Sequence, residues 1–94
     1  MSNPATLQVS EGTKGRLKEV ARRERRTVSN LVSLLLETGI GDIGEVPKVR
    51  KREALSVRLS PELRDKLWAA AEAMGVSRAN LIEAVLAKGL EVRS

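Results

Sequence analysis

Hydrogen-bonding side chains spaced two residues apart carry the clearest chemistry in this sequence. Thr6 and Gln8 interleave with Ala5, Leu7 and Val9, and Ser56 and Arg58 interleave with Leu55, Val57 and Leu59. Rows of this kind offer donors and acceptors to a partner and do no covalent chemistry of their own. The groups that carry most enzyme chemistry are missing, since the chain has neither His nor Cys. A Ser-His-Asp triad, a His general acid, an ordinary zinc site and any disulfide are thereby excluded. Carboxylates and lysines remain, but nothing in their spacing suggests a paired catalytic site. The chain reads as a non-enzyme that uses no cofactor.

An internal repeat supplies the elements that position these rows. Shifted by fifty positions, the sequence matches itself without a gap. Ser10 meets Ser60, Leu17 meets Leu67, Ala21 meets Ala71, Asn30-Leu31 meets Asn80-Leu81, Leu36 meets Leu86 and Gly39 meets Gly89. Each copy begins with a run of period two, which predicts a strand with one apolar and one polar face over 5–9 and over 55–59. A helix start follows: Ser60-Pro61 is an N-cap with Pro at the first helical position, and Ser10-Glu11 is its counterpart. Leu63, Leu67, Ala70 and Met74 form an apolar stripe, and Gly75 suits the left-handed position that ends the helix. In the first copy Arg25 stands where Gly75 does, and Gly12 and Gly15 predict a shorter or weaker helix. Thr27 and Ser77 predict the caps of second helices, with Gly39 and Gly89 where these should stop.

The expected architecture is mainly α with a short β-ribbon, two β-α-α repeats forming one pseudo-symmetric unit. The first repeat covers 1–40 and the second 54–94. Residues 41–53, with two glycines, a proline and a basic cluster, predict a linker. Fully extended, it reaches roughly 40 Å, ample for the second strand to return beside the first. Pairing the two strands antiparallel buries their apolar faces on the helices and leaves Thr6, Gln8, Ser56 and Arg58 together outside. A two-stranded ribbon is one of the elements that fit the major groove of B-DNA.

Charge agrees with a polyanionic partner. Lys and Arg number 17 against 12 Asp and Glu, a net +5. The excess lies in residues 1–40 (+3) and 41–52 (+2), while 53–94 is neutral. The polar start of the chain predicts no signal peptide, and no apolar run approaches the length of a membrane span. An intracellular, cytoplasmic protein is expected.

In its alternating strands, in Ser60-Pro61-Glu62-Leu63 and in the openings Thr27-Val28-Ser29-Asn30-Leu31 and Val76-Ser77-Arg78-Ala79-Asn80-Leu81, the sequence resembles the ribbon-helix-helix (MetJ/Arc-type) family of DNA-binding proteins. The resemblance covers about residues 5–40 and 54–91, and the ordered pattern occurs twice. It implies sequence-specific binding of double-stranded DNA, as a transcriptional repressor. Plasmid maintenance, an accessory role in conjugative transfer, or an antitoxin-like interaction module are the alternatives. The last is disfavoured because only Glu91–Ser94 follow the second unit.

Carried over by position, Thr6, Gln8, Ser56 and Arg58 would contact bases, with Arg58 suited to guanine and Gln8 to adenine. The amides near Thr27, Val28 and Ser29 and near Ser77, Arg78 and Ala79 would hold phosphates. Lys48, Arg50, Lys51 and Arg52 would add phosphate contacts. Arg22, Arg23, Arg25 and Arg26 read as an exposed helix end. Family members usually form the ribbon between two identical chains, so two unequal strands in one chain imply an asymmetric site. Trp68, beside the apolar stripe, is expected to pack at the edge of the core, while Leu34 adds apolar surface that, with the resemblance, implies self-association. No small-molecule ligand is suggested.

Overall fold

The computed structural model describes residues 3–42, 46 and 51–93. It is mainly helical with one two-stranded antiparallel sheet. The elements run β1 (Asn3–Val9), α1 (Glu11–Arg23), α2 (Val28–Gly39), a 3₁₀ turn (Ile40–Asp42), β2 (Glu53–Leu59), α3 (Pro61–Met74) and α4 (Arg78–Arg93). Both strands begin two residues earlier than their apolar alternation predicts. Backbone pairing continues past the last inward side chain, as Asn3 opposite Leu59 and Glu53 opposite Val9 show. Thr6 lies opposite Ser56, so the centre of the ribbon falls between these two residues.

The period-two pattern sorts the faces as expected. Leu7, Val9, Leu55, Val57 and Leu59 are buried, while Thr6, Gln8, Ala54, Ser56 and Arg58 are exposed. Beneath the ribbon lies a single core to which all four helices contribute, including Leu17, Leu31, Leu36, Leu67, Leu81 and Leu86. The packing interleaves the two halves of the chain: α2 lies against β2, and α4 lies against β1 and against α2. Every residue from Leu81 to Leu86 is buried, since α1, α2, α3 and β1 all pack against α4, whose later residues Lys88, Glu91 and Val92 are exposed.

Hydroxyl caps start the helices. Ser10 accepts from the amide of Thr13 (3.2 Å), Thr27 from Asn30 (3.0 Å), Ser60 from Leu63 (3.2 Å) and Ser77 from Asn80 (3.1 Å). The ends of α1 and α3 also match, with the amide of Arg26 bonded to the carbonyl of Ala21 and that of Val76 to Ala71. This six-to-one bond requires a left-handed residue, and Gly75 supplies it at φ 68°. Arg25 adopts the same conformation at φ 56°, a strained position for a residue with a Cβ.

Three expectations need correction. Gly89 does not end α4, which continues to Arg93, whereas Gly39 is the last residue of α2, as expected, and a 3₁₀ turn follows it. Both glycines also serve close approach. A Cβ on Gly89 would lie 2.7 Å from Leu35 Cδ2, and one on Gly39 would lie 2.8 Å from Val85 Cγ1. The buried stripe of α3 is Leu63, Leu67 and Ala71, leaving Met74 at the rim with 38% exposure. Residues 41–53 are not wholly linker, since the 3₁₀ turn and β2 take residues from its ends. No helix among the described residues is long and apolar enough to cross a membrane.

Candidate nucleic-acid interface

The outward face of the ribbon brings together the four strand residues singled out from the sequence. Thr6 and Ser56 face each other at its centre, with Gln8 opposite Ala54 on one side and Arg58 opposite Pro4 on the other. All four polar side chains are exposed, and none hydrogen-bonds to another described residue. Elsewhere, no buried side-chain nitrogen or oxygen among the described residues lacks a partner. The ribbon face thus combines regular geometry with unengaged donors and acceptors.

The helix starts flank the two ends of the ribbon. At the Arg58 end, Ser29 Oγ accepts from the amide of Arg58 at 3.0 Å, and the Ser33 hydroxyl lies 3.5 Å from the Arg58 carbonyl. These bonds dock the first turn of α2 against the outer edge of β2. The hydroxyls of Thr27 and Ser29 are therefore engaged within the protein. The backbone amides of Val28 and Ser29 remain, as first-turn N–H groups with no acceptor four residues back.

At the opposite end, Arg52 Nη2 donates to Asn80 Oδ1 at 3.2 Å, setting the residues before β2 beside the first turn of α4. Arg78 opens that helix, and its guanidinium lies 4.4 Å above the Trp68 ring. Trp68 is half-buried against the core and holds this cation at the α3–α4 corner. Ser77 caps α4, and the amides of Arg78 and Ala79 occupy the positions that Val28 and Ser29 hold in α2. Lys51 is exposed beside Arg52, while Lys48 and Arg50 lie outside the described residues.

The two sides of the molecule differ beneath the ribbon. Glu83, 7% exposed, accepts from the amide of Ser10 at 2.7 Å and from the Thr13 hydroxyl. Fifty residues from Glu83 and Thr13 stand Ser33 and Leu63, so the other side has no matching carboxylate link. Sequence reasoning missed Glu83; its one signal is an acid inside the apolar run Leu81-Ile82-Glu83-Ala84-Val85-Leu86. It also missed the partner of Arg26, whose Nη1 donates to Asn30 Oδ1 at 2.8 Å and whose Nε pairs with Glu24 at 3.2 Å. No family model, curated protein or solved structure matches the chain.

Proposed function

We propose that this chain binds double-stranded DNA as two ribbon-helix-helix units in tandem, laying its ribbon in the major groove as a transcriptional repressor. The carrying observation is the ribbon face, where Thr6, Gln8, Ser56 and Arg58 stand exposed with no partner among the described residues. Arg58 presents a planar fork of donors suited to the O6 and N7 acceptors of guanine, and the Gln8 amide matches the N6 and N7 pattern of adenine. Free amides at the starts of α2 and α4 would grip phosphate on either side. Arg78 supports this role: a cation in the first turn opposes the helix dipole, and an anion there would relieve the conflict. The strands differ, so the preferred site is asymmetric. Self-association belongs to the same reading, and a strict monomer in sedimentation at high micromolar concentration would remove it.

Fluorescence anisotropy of a labelled duplex, titrated over a series of salt concentrations, tests the proposal. Affinity should fall linearly in log–log form, with a slope of about −0.9 per phosphate neutralised. An absence of binding at low salt would overturn it.

A further inference from the structure

Asn30 and Asn80 stand fifty residues apart, each the third residue of its helix, and each holds an arginine. Arg26 Nη1 donates to Asn30 at 2.8 Å, and Arg52 Nη2 donates to Asn80 at 3.2 Å. The arginines themselves come from unrelated places in the chain. Arg26 belongs to the turn before α2, where its counterpart fifty residues on is Val76, half-buried against the core. Arg52 comes from the connector, one residue before β2. The same local arrangement is thus reached twice by different routes, once at each end of the ribbon.

Helix stability does not account for these cations. Each arginine sits before the positive end of a helix, where a cation opposes the dipole. Glu24 offsets Arg26 in part, at 3.2 Å, whereas Arg52 makes no ion pair among the described residues. Both side chains are exposed and keep N–H donors beyond those their partners use. Each guanidinium therefore stands at the first turn of its helix with donors to spare, Arg26 with its charge partly met by Glu24 and Arg52 with no ion pair among the described residues.

We infer that Arg26 and Arg52 are a matched pair of anchors for the DNA backbone, each taking a phosphodiester oxygen at one end of the ribbon. The connector supplies at the α4 end the arginine that position 76 lacks. This rests on the DNA-binding reading above and adds that the grip is balanced between two flanks. The seven residues of each strand set the ends of the ribbon roughly 20 Å apart, so the two phosphates lie on opposite sides of the base pairs being read.

The test measures anisotropy on one mixed-sequence duplex of thirty base pairs, over a salt series. It compares the full chain with Arg26→Gln, Arg52→Gln, the double variant and Lys88→Ala. Lys88 serves as the control because it lies beside Gly89 in the groove between the C-terminal halves of α2 and α4. Each single variant should flatten the salt slope by about 0.9, the double by about 1.8, and the control by nothing. Melting temperatures should stay together, since the substituted side chains are exposed. A wild-type slope retained by Arg52→Gln, or a loss confined to Arg26→Gln, would overturn the matched pair while leaving the DNA reading intact. Failure of the unsubstituted chain to bind duplex would overturn both.

Discussion

Replacing Glu83 with Ala should be among the most damaging single changes to this fold. The carboxylate is 7% exposed and ties the start of α1 to α4 through the amide of Ser10 and the hydroxyl of Thr13. Hydrogen bonds to a charged group contribute about 1.5–3 kcal/mol each, and a buried donor left without an acceptor costs about 1–3 kcal/mol. Removing the carboxylate also removes its own desolvation penalty, which offsets part of the loss. The net cost should be about 2–4 kcal/mol, with melting lowered on the order of 10–25 °C for a chain of this length. The opposite side of the molecule suggests the repair, because Leu63 and Ser33 occupy the places of Thr13 and Glu83 there. The pair Thr13→Leu with Glu83→Ser should therefore recover to within about 1 kcal/mol of the unsubstituted chain. Thermal and urea unfolding followed by circular dichroism would measure both. A loss below about 1 kcal/mol for Glu83→Ala, or a double variant weaker than Glu83→Ala, would refute the account of this link.

Other outcomes follow from the backbone and from the single aromatic residue. Arg25→Gly should raise stability by about 0.5–1 kcal/mol, relief of the left-handed strain exceeding the added freedom of the unfolded chain; a lower urea midpoint would contradict this. Gly15→Ala, whose new Cβ meets nothing within 4 Å, should stabilise by about 1 kcal/mol in the same assay. Gly89→Ala should cost about 1 kcal/mol net, because a Cβ 2.7 Å from Leu35 Cδ2 forces the helices apart; a gain would show that Leu35 yields freely. Trp68 is the one aromatic residue and lies under Arg78, so duplex DNA should change its emission. An unchanged spectrum at saturating DNA would place Arg78 away from the contact.

The parts of this fold legible in the sequence are those governed by local chemistry. Ser10, Thr27, Ser60 and Ser77 each bond an amide three residues on, so cap and helix start lie within one short stretch. Alternation at 5–9 and 55–59 sorted the ribbon faces because a strand has no other way to place successive side chains. Gly89 misled because glycine serves both to end helices and to admit a neighbouring side chain, and only Leu35, from a distant part of the chain, shows which applies. The bonds of Glu83 to Ser10 and of Arg52 to Asn80 span 73 and 28 residues, beyond the reach of any local pattern. The repeat set Arg25 at the place of Gly75, but its left-handed conformation was not legible, because glycine is the usual signal for that turn.

Guanine N7 methylation interference on a duplex selected from a random pool, comparing the unsubstituted chain with Arg58→Ala, would show whether the ribbon reads bases. Modification at N7 blocks the major-groove edge that a bidentate arginine occupies. Interference should be confined to a few adjacent base pairs of one major groove, with one guanine on a single flank losing its effect in Arg58→Ala. Interference that is absent, scattered, or identical in the two proteins would contradict a ribbon that reads bases through Arg58.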